Sequence, residues 1–196
     1  CGSGAYNTTD RGRASLLRAL RIGHLHHDTM QVPNYPSHNA LRHVRPWMQR
    51  PVFSDVRRQA AVHEAGHIVF MRWLGMPSPG ATITINEAGA TGKALWPDRA
   101  FFAGLPDPQA DESGTIAATA AGLFHAGVIA EAIAAGVELV GPIHYQGTDY
   151  AQADEMLSER FGHHASGAHF YAQRVALHAL ASMWGDVELI AGALMQ

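Results

Sequence analysis

The sequence predicts a mainly helical α+β fold with one small sheet. Three observations predict it. Segments with apolar residues at helical spacing cover about 54–75, 111–135, 148–162 and 167 onward. One short β-branched run, ATITIN (81–86), alternates apolar and polar residues as a strand does. Hydrophobic residues make up 47% of the 196 positions and charged residues 16%, a balance that suits a globular chain with a real core.

In chain order, residues 1–10 read as disordered, and RASLLRALRIGHLHH (13–27) reads as a short amphipathic helix. Three prolines in QVPNYPSHNALRHVRPW (31–47) predict irregular, wrapping structure. Ser54 offers an N-cap with Asp55 in the first turn, and the helix that follows runs to Gly75, a C-cap residue. GATGKALW (89–96) follows ATITIN after a glycine and reads as the second strand of a hairpin or an edge strand. GLPDP (104–108) is a loop. An alanine-rich helix from about Asp111 to Ala135 ends at Gly136, another starts near Thr148 and stops at Gly162, and a last helix runs from about Gly167 toward the C-terminus.

The formal net charge of −3 is unevenly spread. Residues 1–58 hold nine arginines against three aspartates, whereas the remainder holds five basic and fourteen acidic residues. The basic arm reads as a segment that docks on its own acidic domain; the alternative is an acidic partner or a membrane surface. Only one cysteine, Cys1, is present, so an internal disulfide is excluded and a reducing, cytoplasmic setting is the default. The opening CGSG reads as a cloning remnant, and no signal peptide is visible. No uncharged apolar run reaches about 18 residues, so no membrane span is expected. No nucleic-acid partner is expected either.

The chemistry concentrates in QAAVHEAGHIVFMRWLG (59–75). His63 and His67 stand four apart on a helix, hence on one face and one turn apart, where both imidazoles can reach one zinc ion. Glu64 sits one step round the helix, placed to take a proton from a water that zinc acidifies. Val62, Val69 and Trp73 form a separate apolar stripe for the core. Gly66 costs about 1 kcal/mol of helix propensity relative to alanine, which points to something packed very close to the helix. With 13 histidines and 8 glutamates, a random chain of this length would contain such a motif about 0.03 times.

Zinc chemistry needs a third protein ligand and one open position. A third histidine six residues on is excluded, because position 73 is Trp73. Two candidates remain on residue type: Glu131 in the alanine-rich helix, and Asp149 in QGTDYAQADEML (146–157).

Four pieces, in order, resemble the peptidase domain of FtsH-type ATP-dependent zinc metalloproteases. AVHEAGHIV (61–69) resembles that family's zinc helix, and ATITINEAGATGKALW (81–96) its strand pair, whose second strand lies along the substrate cleft. AGVIAEAIAAG (126–136) is similar to its A-G-x-x-A-E-E helix, and GTDYAQADEM (147–156) to the segment that carries its third ligand. The resemblance implies a zincin-like helical metallopeptidase domain over 58–196, with 1–57 as an N-terminal arm. It implies Zn2+ held by His63, His67 and Asp149, with Glu64 as general base and Glu131 as a carboxylate orienting a ligand histidine. It implies a polypeptide substrate bound along Gly92, Lys93, Ala94 and Leu95 by strand addition. The implied activity is that of an endopeptidase for unfolded or flexible polypeptides.

The chain departs from that family in several respects. The ATPase module and membrane anchor are missing, so a separate unfoldase is the expected partner for folded substrates. GATGKA (89–94) lacks the first glycine and the Ser/Thr of a phosphate loop. Ala132 stands where the family usually has a second glutamate. Two other readings stay open: a retired zinc-containing binding module, and a zinc amidohydrolase for a small substrate. The remaining histidines read as solvated or core residues, among them HLHH (24–27), His125, His163, His164 and His178; His144 reads as a surface residue, with a place lining the cleft as the alternative.

Overall fold

A computed structural model describes residues 45–78, 80–86, 89–95 and 115–196. The expected helix at 13–27 with its HLHH run, most of the irregular stretch at 31–47, the loop at 104–108 and the proposed helix start at Asp111 lie outside the described residues. The described elements are β1 (Met48–Gln49), α1 (Val56–Trp73), β2 (Gly80–Asn86), β3 (Gly89–Leu95) and α2 (Thr115–Ala134), then β4 (Ile143–His144), α3 (Thr148–Phe161), α4 (Ala165–Ser182) and α5 (Trp184–Leu194). A 3-10 turn, Gly162–His164, joins α3 to α4. The described residues are thus mostly helical with little sheet, an α+β arrangement.

Asp55, not Ser54, caps α1. Its carboxylate accepts the backbone N–H groups of Arg57 and Arg58, each at 3.0 Å. One carboxylate satisfies two orphan donors there and meets the positive end of the helix. At the other end Gly75 adopts φ 71°, its N–H bonds Arg72 O, and the Met76 N–H bonds Met71 O. Gly136 ends α2 in the same way. This left-handed glycine cap satisfies the last carbonyls and turns the chain.

Helix α2 is central, packed against α1, α3 and α4. Its alanines let neighbours approach closely, and Ala117, Ala118, Ala121, Ala126 and Ala130 are buried. Gly66 is the point of closest approach: a Cβ there would lie 2.6 Å from Ala126 O and 2.7 Å from Ala130 Cβ. By length and composition Ile116–Ala134 could cross a membrane, but 78% of that window is buried inside the fold. Its apolar character is accounted for by its central place in the core.

The C-terminal segment is two helices rather than one. At Met183 the backbone leaves the helical region (φ −121°, ψ 27°), and α5 packs back on α1. Just before the break, the Ser182 hydroxyl donates to Ala179 O at 2.7 Å, a back-bond that competes with helix continuation.

Among the described residues, two sheets of two strands each stand where a single one was expected. β2 and β3 form the anticipated antiparallel hairpin, in register from Asn86↔Gly89 to Gly80↔Leu95, and both pack on α1. β1 and β4 are parallel, pairing Met48 with Ile143 and Gln49 with His144. Buried Gln173 completes β4 by accepting from the Ile143 N–H (2.7 Å) and donating to its carbonyl (2.9 Å). Residues 45–51, read from sequence as part of the arm, therefore lie against the domain, with the Met48 N–H bonded to Pro142 O at 2.7 Å.

Candidate metal centre

Helix α1 carries His63 and His67, and their Nε2 atoms lie 3.2 Å apart. Asp149, in the first turn of α3, places Oδ2 at 3.2 Å from each. Among the described residues these three form the group whose ligand atoms converge. Their other atoms fix the proton positions. His67 Nδ1–H donates to the Leu123 carbonyl at 2.9 Å, and His63 Nδ1–H donates to Glu131 Oε1 at 2.7 Å. With protons on both Nδ1 atoms, neutral rings turn two Nε2 lone pairs toward each other and toward a carboxylate oxygen. Three electron-rich atoms in a triangle require a cation or a proton between them.

The triangle has the size a zinc ion needs. Zinc–ligand bonds of 2.0–2.1 Å at tetrahedral angles separate ligand atoms by about 3.3–3.4 Å. Three ligands leave a fourth position open. Without metal, a proton takes part of this role: burial opposes charge on His63, but hydrogen bonds with Asp149 and Glu131 raise its pKa to about 9. Burial also works against ionised Asp149, and its bonds to the two imidazoles overcome that and hold it below the usual carboxylate range.

Behind His63 lies Glu131, fully buried. Arg50 embraces it with two bonds, Nε to Oε2 at 2.7 Å and Nη2 to Oε1, and Gln59 Nε2 donates to Oε2 at 2.8 Å. Burial favours the neutral acid, but His63 and Arg50 outweigh it and keep the carboxylate ionised.

Glu64 is buried and lines the same cleft as His63, His67 and Asp149. Burial raises its pKa against the opposing pull of the two imidazoles, and the Ala94 N–H bonds to it. A raised pKa makes it a better proton acceptor. Two glycines make room for the working side chains. A Cβ at Gly92 would strike the Glu64 carboxylate, and a Cβ at Gly127 would strike the His63 ring.

The cleft has a volume of about 920 Å³. Its lining includes Val52 and Val56, β3 from Gly89 to Ala94, and residues 145–149. Because the Ala94 N–H points away from β2, strand alternation turns the backbone groups of Gly92 and Ala90 to that same outer edge. Residues 89–94 run as extended strand and not as a phosphate loop.

The structure thus gathers His63, Glu64, His67, Asp149 and Glu131 at one place, with Gly92, Lys93 and Ala94 along the cleft. Leu95 does not line it; that residue pairs with Gly80 at the end of the hairpin farthest from its turn. His144 also stays outside, its ring edge-on to Trp47 and Tyr150. Fully buried His125 bonds to Tyr145 and, at 2.9 Å, to His169. Sequence reasoning missed Arg50, Gln59 and Gly127. A helix-interior glycine was a signal for Gly127, as it was for Gly66. Arg50 and Gln59 gave no signal. Comparison of the chain with protein-family models, with curated proteins and with solved structures gives no match, so the reading of the site rests on its own geometry.

Proposed function

We propose that this chain is a zinc-dependent endopeptidase acting on unfolded or flexible polypeptides, on a zincin-like domain resembling the FtsH-type peptidase. The observation that carries this reading is the 3.2 Å triangle of His63, His67 and Asp149 beside a buried glutamate. Bound there, zinc supplies Lewis-acid chemistry, acidifying water and polarising a carbonyl. His63, His67 and Asp149 would hold it. Glu131 and the Leu123 carbonyl keep the two rings in the tautomer that presents Nε2. Glu64 takes a proton from the attacking water and returns it to the departing amine. The outer edge of β3 offers backbone groups to an extended peptide, which favours a polypeptide over a compact small substrate.

The test is Glu64→Gln. The variant should keep its zinc and lose at least about 100-fold in casein hydrolysis, the lower range for a proton-transfer group. Equal turnover by the variant and wild type would overturn the assignment. Zinc binding without hydrolysis by either protein would favour the retired binding module.

A further inference from the structure

The family resemblance begins near residue 58, yet the metal centre has a component from before it. Arg50 follows β1 directly. Its guanidinium grips both oxygens of Glu131, and one of those oxygens accepts the His63 Nδ1–H. Gln59 fills a further acceptor site and also donates to Pro51 O at 3.2 Å. The four acceptor positions of the carboxylate are thereby all taken. The same segment reaches the centre by a second route. β1 pairs with β4, and β4 leads within five residues to Asp149. Arg45 Nη1 donates to Val140 O at 3.1 Å, and the Pro46 carbonyl lies so close to Gly141 that a Cβ there would collide with it.

Building on the zinc reading above, we infer that residues 45–51 form a positioning strap for the metal centre. Arg50 is its positioning residue, acting on His63 through Glu131. A fully buried carboxylate needs a cation partner. Arg50 supplies it in a planar fork that also fixes the carboxylate's rotation, and with it the direction of the His63 ring. Removing a positive charge near a divalent ion acts in the opposite sense. That gain is short-lived, because an unpaired buried carboxylate turns to water or is neutralised, and either outcome releases His63.

The experiment uses the whole chain as wild type, Arg50→Ala and Arg50→Lys, each stripped of metal and titrated with zinc against a chromophoric chelator. Arg50→Ala should bind zinc about 10–100-fold more weakly, the range for loss of a group that orients a ligand. Arg50→Lys should fall between, since an ammonium cannot span both oxygens. Added guanidinium ion should restore part of the Arg50→Ala affinity. The His63 Nδ1–H resonance of the zinc-loaded protein should exchange faster in the variant. A purely structural role would lower the melting temperature of Arg50→Ala while leaving zinc affinity and that resonance unchanged, and that result overturns the inference. If Arg50→Ala does not fold, Arg50→Lys decides, and affinity equal to wild type overturns the inference. A wild-type chain that holds no zinc removes the reading of the centre itself, and the inference with it.

Discussion

Gly127→Ala tests whether the histidine geometry is what the site depends on, because two effects of known size oppose each other there. Alanine in a helix interior is favoured over glycine by about 1 kcal/mol, so propensity alone predicts a more stable α2. The added Cβ, however, would stand 2.6 Å from His63 Cδ2 and closer still to Nε2 and Cε1. Ordinary carbon contacts are about 3.5–4.0 Å, so the ring must retreat by about 1 Å. It has no slack for that. Its Nδ1 is 2.7 Å from Glu131 and its Nε2 is 3.2 Å from both Asp149 and His67, so a shift of that size cannot leave all of these contacts as they stand. A hydrogen bond to a charged group is worth about 1.5–3 kcal/mol, more than the propensity gain. The metal-free variant should therefore be no more stable than wild type, and zinc affinity should fall by at least about 10-fold, as when a ligand's support is lost. Thermal unfolding of the metal-free protein and zinc competition with a chelator read the two terms separately. Zinc affinity equal to wild type, with higher stability, would refute the placement of His63.

Two further predictions concern protons. In the metal-free protein, His63 titrates near 9 against about 6.5 when unfolded, so the stability it contributes is fully present below about 6.5 and is lost as pH rises through about 9. Zinc must displace that proton, so calorimetric titration at pH 7.5 should release about one proton, seen as a binding enthalpy that changes with the buffer's ionisation enthalpy; no buffer dependence counts against the assignment. His125 and His169 have the opposite sign: burial lowers both, most strongly for His125, so the unfolded chain takes up protons more readily than the folded one as pH falls below about 6.5. Metal-free protein should lose up to about 1.4 kcal/mol per pH unit for each ring between pH 6.5 and 5.5, measured by urea unfolding, and His125→Gln should flatten that slope; an unchanged slope defeats the prediction.

The parts legible in the sequence are those with a local cause. Helix α1, its glycine cap at Gly75 and the shared face of His63 and His67 follow from spacing alone, and Gly66 announced the crossing with α2 before any partner was known. The break at Met183 was not legible, because periodicity continues across it and the turn is one residue long. β1 and β4 are two residues each, too short for any alternation to register. The third ligand was narrowed to two carboxylates by type, and only tertiary packing separates them. Asp149 lies 82 positions beyond His67 and reaches Nε2, whereas Glu131 reaches the opposite nitrogen of His63. Arg50 was read as one charge in a basic arm. Nothing local distinguishes an arginine that will serve a buried carboxylate 81 positions away from one that will stay in water.

Charge explains why these particular residues belong together. With both imidazoles neutral, the centre holds one positive group, Arg50, and three carboxylates, Glu64, Glu131 and Asp149. The sum is −2, and Lys93 at the cleft is exposed and screened by water. A buried surplus of that size is costly. Protonating His63 removes half of it, which is why its pKa is raised. A divalent cation removes all of it and at the same time occupies the space where three lone pairs meet. Imidazole donors suit zinc better than calcium or magnesium, and one carboxylate oxygen completes a set with a vertex left for solvent. The surplus of two charges and the two-nitrogen, one-oxygen donor set share Asp149 but are reached by different arguments, one from charge and one from donor type. The first calls for a divalent cation, and the second favours zinc among them.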